Sequence, residues 1–192
     1  MYNPDIHHRR SIRLKSFDYS SAGAYFVTIC AQHRECLFGV IQAGQVTLNF
    51  AGKMIYEVWQ QLSEYYPSVD LDVFVVMPNH FHGIIVLDVG AGPRACPPFV
   101  GHHGKGHPQG GAPTVSLADV IQRFKSLTTT RYRYGVSQDE WPPFPGRLWQ
   151  RNYFERVIRN ENELIDTRGY ISENPIKWEF DENNPTNHEL NL

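Results

Sequence analysis

The sequence has little cysteine and no long hydrophobic run. Its three cysteines, Cys30, Cys36 and Cys96, are an odd number and form no Cys-x-x-Cys pair, which argues against a disulfide framework and predicts free thiols in a reducing compartment. No apolar stretch approaches the length that a membrane-spanning helix needs. The charged N-terminus is not followed by an apolar segment, so we expect no secretory signal. A cytoplasmic location follows as the expectation.

The sequence also lacks an excess of positive charge. Lysine and arginine number 18 against 20 acidic residues, for a formal net charge of −2, so composition by itself does not indicate a nucleic-acid partner. Basic residues are nevertheless clustered near the start, at Arg9, Arg10, Arg13 and Lys15. Such a cluster is most often a solvated chain end. With 192 residues, the chain is long enough for one domain with a sizeable core.

Hydrophobic periodicity predicts strands and helices in the order of an α+β sandwich of ferredoxin-like type. We expect an antiparallel sheet with two long helices on one face, the other face free for a ligand, and an extra C-terminal helix. Strands are predicted at 24–31, 71–78, 80–87 and 147–158, a hairpin at 37–48, and helices at 51–62, 117–127 and 161–174. The helix caps are Ser116 with Asp119 and Asn160 with Glu163.

The same patterns divide the chain into three parts. Residues 1–19 form a basic arm, residues 20–178 form the domain, and residues 179–192 form a polar tail that we expect to be frayed. Within the domain, residues 89–114 are rich in glycine and proline and predict a long flexible loop. Its histidines could bind a metal, but a flexible loop is a poor place for a preorganised site.

His80 and His82, in the segment MPNHFH, are the first candidates for chemistry. On a strand their side chains project from the same face, roughly 6–7 Å apart along it. Two imidazoles at that spacing can share a divalent ion, although a usable site needs at least a third ligand. The alternative is that they are ordinary strand histidines with satisfied hydrogen bonds, which is the commoner case for an isolated pair.

Tyr170 and Asn174 are the second candidates. They stand four residues apart in the last predicted helix and therefore share one of its faces. A carboxamide oxygen is an acceptable ligand for Mg²⁺ or Mn²⁺, and a phenol one turn away would lie beside that metal. The alternative is a packed tyrosine whose hydroxyl is tied down.

These two segments resemble known motifs. MPNHFH is similar to the HUH motif (His, hydrophobic, His) of single-tyrosine transposases, and LWQRNYFERVIRNENELIDTRGYISENPIKW resembles their closing segment, which ends in Tyr-x-x-x-Asn-Pro. The similarity is greatest to the REP-associated tyrosine transposases and covers roughly residues 20–178. It implies that His80, His82 and Asn174 bind Mg²⁺ or Mn²⁺ and that Tyr170 is the nucleophile. Many relatives carry glutamine at the third ligand position.

The resemblance also implies an activity and a partner. Tyr170 would cleave single-stranded DNA and transfer the strand through a 5′-phosphotyrosine, acting on hairpin-forming repeats in a bacterial, nucleoid-associated protein. Exposed bases and phosphates need stacking surfaces and positive charge. The candidates for DNA binding are Arg9, Arg10, Arg13, Lys15, Arg123, Lys125, Arg151, Tyr153 and Arg156.

Several alternatives stay open at this point. Tyr132 and Tyr134 are rival nucleophiles, but we expect them at a helix exit with no ligand-type residue four positions on. Gly169 either lets the tyrosine end of the helix move or permits close packing, and Cys30 is expected in the core. A homodimer would let the tyrosine helix serve the partner's histidines, whereas a monomer would serve its own. The chain could also be a non-catalytic hairpin-binding protein or a nuclease of the replication-initiator type.

Overall fold

The computed structural model describes residues 21–88 and 115–189, which form a mixed α/β structure. The basic arm, the Gly/Pro-rich loop with its histidines, and Cys96 lie outside the described residues. The strands are β1 (Gly23–Cys30), β2 (Gly39–Gln42), β3 (Gln45–Leu48), β4 (Val69–Val76), β5 (His80–Leu87) and β6 (Phe154–Ile158); the helices are α1 (Phe50–Gln60), α2 (Leu62–Tyr65), α3 (Leu117–Gln138), α4 (Glu161–Glu173) and α5 (Thr186–Glu189).

One antiparallel sheet carries the fold. Its strand order is β4-β5-β1-β6, and β2 pairs with β3 in a separate hairpin. Helices α1 and α3 bury one face of the sheet through a cluster that includes Trp59, Phe81 and Phe124. The predicted antiparallel sheet with helices is therefore confirmed. Ser116 and Asp119 form the capping box that begins α3, as the sequence indicated.

Helix α4 lies on the opposite face of the sheet, which corrects the expectation that this face is open. Leu164 and Ile171 of α4 pack with Phe26 of β1 and Ile84 of β5. Asn160 caps the start of the helix by accepting a hydrogen bond from the Glu163 amide at 2.9 Å. The consequence is that the end of α4, which carries the candidate tyrosine, lies on the same side of the sheet as the histidines.

Two predicted boundaries were wrong. Helix α3 continues to Gln138, so Tyr132 and Tyr134 lie inside it; burial of Thr128 and Tyr132 offsets the weaker helix propensity of this stretch. The predicted strand 147–158 is reduced to β6: residues 151–153 are not part of the strand, and the side chains of Leu148 and Trp149 join the core beside α3. Trp149 keeps one bridge to Ala31.

The C-terminal segment, which we define as residues 178–187, is packed rather than frayed. It begins with a 3-10 turn at Trp178–Phe180, and the side chains of Asn183 and Asn184 are buried. Asn184 donates to the carbonyl of Trp178 at 3.0 Å and accepts from the Thr186 hydroxyl at 2.8 Å. Across the ranges that the structure describes, we find no helix with both the length and the apolar character to cross a membrane.

Candidate active site and metal centre

The two histidines begin β5 and their nitrogens converge. His82 pairs with Thr28 and His80 with Cys30 in the register of β1 and β5. Both imidazoles are buried, and their Nε2 atoms lie 3.0 Å apart. This is much closer than the spacing of the side chains along the strand, because the two rings tilt towards each other, with centroids 4.5 Å apart. Two nitrogens therefore point at one place.

Neighbouring side chains hold the opposite nitrogen of each ring. The Nδ1 atom of His80 lies 2.9 Å from the Oδ1 atom of Asn79, and the Nδ1 atom of His82 lies 2.8 Å from the hydroxyl of Thr28. Bonds of this kind fix the orientation of metal-binding imidazoles in proteins. The Nε2 atoms are thus left to meet a ligand.

Burial keeps both histidines neutral. It lowers the pKa of His80 to about 4, against the opposing effects of Asp181 and Asn174. It also lowers the pKa of His82 well below its usual range, and the neighbouring His80 adds to that effect. Neutral imidazoles have the lone pairs that a metal needs, so the pair suits a divalent cation.

Two oxygen-bearing side chains complete the cluster. Asp181 of the C-terminal segment places Oδ2 3.7 Å from the Nε2 atom of His80, and one ligand atom from each of His80, His82 and Asp181 lies within 4.8 Å of the others. Asn174 is buried at the end of α4, and its Oδ1 atom makes no hydrogen bond with the part of the chain that the structure describes. A buried amide oxygen without a hydrogen-bond partner, on a side chain that affects the pKa of His80, fits a cation. Sequence reasoning missed Asp181 because nothing in the acid-rich tail distinguishes it.

Tyr170 lies beside the histidines of its own chain. Its ring centroid is 5.3 Å from that of His82 and 5.8 Å from that of Phe26, and its side chain is half-exposed. Burial, together with Asp181, raises its pKa, whereas the Asn174 side chain lowers it. The net effect is a raised pKa, so the phenol is protonated at neutral pH. A Cβ at Gly169 would meet no described heavy atom within 4 Å, so close packing does not explain this glycine.

A cavity of about 690 Å³ opens next to Tyr170. Its wall combines aromatic rings, from Phe26, Tyr153 and Phe154, with charges of both signs, from Arg34, Arg156, Asp166 and Glu182. Arg156 donates to the hydroxyl of Thr167 at 2.8 Å, which holds its guanidinium over the sheet face. Cys30, expected in the core, instead lines this cavity and is only partly buried.

The other predicted DNA-binding residues are distributed differently. Lys125 is largely withdrawn from the surface: its ammonium donates to the carbonyls of Gln150 at 3.0 Å and Asn152 at 3.2 Å, and burial lowers its pKa to about 8. Arg123 lies over the ring of Tyr65 at 4.7 Å, away from the cavity. Arg151 is exposed and does not line the cavity, and the four basic residues of the arm lie outside the described residues.

The rival tyrosines are less suited to catalysis. The hydroxyl of Tyr132 donates to the carbonyl of Pro142 at 3.0 Å, and burial raises its pKa to about 12. Tyr134 is 66% exposed on α3, the helix that packs on the other face of the sheet. Neither is in contact with a histidine of the pair in the described structure.

Comparison with known proteins finds a relative in sequence and a solved structure with a similar fold. No family model matches the chain. An uncharacterized protein of Haemophilus influenzae is 39% identical over 182 residues, which cover 94% of this chain and 96% of the relative. Among solved structures, a REP-associated tyrosine transposase bound to a REP hairpin is similar with a TM-score of 0.54 and 18% identity, covering 86% of this chain and 74% of that one.

The crystal structure of a candidate transposase from Deinococcus radiodurans has a TM-score of 0.44 and 13% identity, covering 84% of this chain and 96% of that one. The sequence relative spans nearly the whole chain, and the first structural likeness extends over most of it. The chain therefore belongs to one family with the Haemophilus influenzae protein, and its fold is similar to that of the solved REP-associated tyrosine transposase.

Proposed function

We propose that the protein is a metal-dependent DNA strand transferase that cleaves single-stranded DNA and links it to Tyr170 as a 5′-phosphotyrosine. One observation carries the proposal: the Tyr170 ring lies 5.3 Å from the ring of His82 in the same chain, beside a buried pair of neutral imidazoles. The strand order β4-β5-β1-β6, in which all neighbours are antiparallel, supports the ferredoxin-like type of sheet that this chemistry is expected to use.

His80 and His82 would hold Mg²⁺ or Mn²⁺, with Asn174 as the third ligand. Asp181 is a further candidate, because its carboxylate reaches the same pair of nitrogens. When bound, such an ion neutralises charge on the phosphate and makes it easier to attack. Oxygen ligands of both kinds suit these hard cations, so the ligand set accepts either metal.

The chain's own residues would carry out the bond exchange. The Tyr170 oxygen attacks the phosphorus, the bond from phosphorus to the 3′ oxygen breaks, and the phenol proton ends on the departing 3′ hydroxyl. Because Tyr170 is protonated at neutral pH, this proton must leave as the new bond forms. The number of phosphoester bonds is unchanged, because the bond to the tyrosine oxygen replaces the bond to the 3′ oxygen, so a second 3′ hydroxyl can reverse the step on another strand without an external energy source.

The cavity supports a single-stranded substrate. Aromatic rings at Tyr153 and Phe154 can stack on unpaired bases, and Arg156 supplies positive charge beside Tyr170. The similar transposase was solved with a REP hairpin, and we extend that class of substrate, a hairpin with a single-stranded flank, to this chain. Contacts from the basic arm to hairpin phosphates stay a prediction, as do the domain boundaries and the cytoplasmic location. We propose that each chain uses its own tyrosine, whether or not it dimerises.

The test is a cleavage assay with a labelled hairpin oligonucleotide that has a single-stranded flank, in Mn²⁺ or Mg²⁺. We expect a covalent protein–DNA adduct on a denaturing gel, lost in Tyr170→Phe and in His80→Ala. Tyr134→Phe is the matched control and should retain the adduct. Tight binding without an adduct would instead identify a non-catalytic hairpin-binding protein, and strand scission without an adduct would identify a metal-dependent nuclease.

A further inference from the structure

Asn79, the residue before the histidine pair, is fully buried and joins three parts of the chain. Its Nδ2 atom donates to the carbonyl of Arg34 at 2.8 Å and to the carbonyl of Asn183 at 2.8 Å. Its Oδ1 atom lies 2.9 Å from the Nδ1 atom of His80. One carboxamide thus contacts the turn after β1, the C-terminal segment and a candidate metal ligand.

The two backbone carbonyls fix which way this carboxamide faces. A carbonyl oxygen can only accept, so the nitrogen of Asn79 must be the atom directed at Arg34 and Asn183, and both of its hydrogens are used. The remaining oxygen then faces His80, and it too can only accept. The proton of neutral His80 must therefore lie on Nδ1, which leaves a lone pair on Nε2, the nitrogen that faces His82.

His82 is not constrained in the same way. Its Nδ1 atom meets the hydroxyl of Thr28, which can donate or accept. Without a cation, two lone pairs 3.0 Å apart would repel, so His82 must carry its proton on Nε2 and donate a hydrogen bond to the Nε2 atom of His80. With a cation between them, the proton of His82 must move to Nδ1, and Thr28 turns to accept it. Only His82 needs to change.

We propose that Asn79 is a positioning residue that holds His80 permanently in its metal-binding tautomer and, through the same carboxamide, ties the C-terminal segment with Asp181 to the site. The use of that tautomer rests on the proposed function, whereas the tautomer itself is a property of the metal-free protein. Fixing one ligand in advance means that binding a cation requires a single proton shift and no movement of the strand. The tie to Asn183 also explains how a segment of so few apolar residues reaches His80.

Nitrogen NMR of the metal-free protein with labelled histidine tests the first part. We expect the His80 signals of a proton on Nδ1, and the same tautomer in Asn79→Asp, because a carboxylate still accepts. In Asn79→Ala we expect the shift towards the tautomer with the proton on Nε2, which free histidine prefers in water, and a 10- to 100-fold loss of Mn²⁺ affinity by calorimetry.

Amide hydrogen exchange tests the second part of the proposal, which is that Asn79 ties the C-terminal segment to the site. Both Asn79 variants lose the donors to Arg34 and Asn183, so exchange of amides in residues 178–187 should accelerate in each. Asn184→Ala is the matched control, because it loosens the C-terminal segment by removing the bond to Trp178 and makes no change at Asn79 or His80. Amide exchange in residues 178–187 should therefore accelerate while the proton of His80 stays on Nδ1.

A wild-type spectrum with the His80 proton on Nε2 would overturn the proposal, even if no variant folds. So would an Asn79→Ala protein that keeps both the tautomer and full Mn²⁺ affinity. Neither measurement uses DNA, so a failure of the cleavage assay leaves them valid and distinguishes the loss of this inference from the loss of the proposed function.

Discussion

Two glycine-to-alanine substitutions near the site should change stability in opposite directions. Gly83 follows the histidine pair on β5, and a Cβ there would lie 2.7 Å from Cζ2 of Trp59 and 2.8 Å from Cε1 of Phe81. Both rings are fully buried, and they pack on each other at 4.3 Å between centroids, with Phe124 at 5.2 Å from each. Neither ring can move away without displacing a second one.

The size of the effect follows from two terms. Overpacking of a core by one methyl group costs about 1–3 kcal/mol, whereas replacing glycine by alanine recovers about 0.4–1 kcal/mol by restricting the unfolded chain. We therefore expect Gly83→Ala to lower the free energy of unfolding by about 1–2 kcal/mol. At Gly169 the added methyl group meets no described atom within 4 Å, and the position is inside α4. There alanine should stabilise by about 0.5–1 kcal/mol.

Urea unfolding followed by circular dichroism measures both changes. The midpoints should move in opposite directions with the slope unchanged, since neither substitution alters the surface exposed on unfolding. The reasoning would be refuted if both midpoints moved the same way, or if Gly83→Ala left the midpoint unaltered. In the second case the rings behind the histidine strand would be packed too loosely to hold His80 and His82 in register.

Three further predictions concern the polar contacts of the site. Arg168 pairs with Asp72 of β4 through bonds of 2.5 to 3.2 Å. Burial raises the pKa of Asp72, but the bonds from Arg168, the bond from the Val73 amide and the charge of Arg168 together lower it by more. The pair should therefore stabilise the fold at pH values above the unfolded-state pKa of Asp72, which is near 3.8. Because the pair is partly exposed, we expect Arg168→Leu to lower the free energy of unfolding by only about 0.5–1 kcal/mol at neutral pH, and by less as the pH falls below that value; urea unfolding measures both. Asn174→Ala and Asp181→Ala separate the two candidate third ligands. Loss of the true ligand should reduce Mn²⁺ affinity, measured by calorimetry, at least tenfold, which is the least that loss of a supporting residue costs, whereas loss of the other side chain should reduce it less. Lys125→Met should leave the fold intact but weaken single-stranded DNA binding in a fluorescence anisotropy titration, because the carbonyls of residues 150–152 lose the ammonium that holds them. Unchanged binding would show that residues 150–152 keep their position without Lys125.

The parts of the site that sequence predicted are those set by short periodicities. Alternation along a strand puts His80 and His82 on one face, and helical spacing puts Tyr170 and Asn174 on another, whatever the rest of the chain does. Only the resemblance predicted that these two pairs form one site, because their proximity depends on α4 packing across the second face of the sheet. Asp181 was missed for the same physical reason: its position depends on a carboxamide more than 100 residues away in sequence, and no local pattern records such a contact.

Lys125, which the sequence predicts to bind DNA, also binds backbone carbonyls, and the sequence did not indicate that second role. Its charge and its place on a polar stretch of helix are typical of a residue that contacts DNA, and nothing local distinguishes that role from binding backbone carbonyls. The carbonyls of residues 150–152 are available because the chain between Trp149 and β6 is not part of the strand and lies beside Lys125 of α3. A single misjudged strand boundary therefore changed the interpretation of a side chain on another element.

The site is held less firmly than the domain that carries it. Helix α4 buries only Leu164, Thr167 and Ile171, whereas α1 and α3 share one large aromatic core on the other face. Beyond this small apolar cluster, α4 is held by the partly exposed Arg168–Asp72 pair, and an exposed ion pair contributes little to stability. The C-terminal segment is held by the buried bond from Asn79 to the carbonyl of Asn183. Regions with few apolar contacts open with less free energy than the core does. Tyr170 and Asn174 should thus separate from the histidines while β1 and β5 stay folded, which gives a DNA strand a way in; amides of α4 should exchange faster than those of β5, and equal protection would contradict this account.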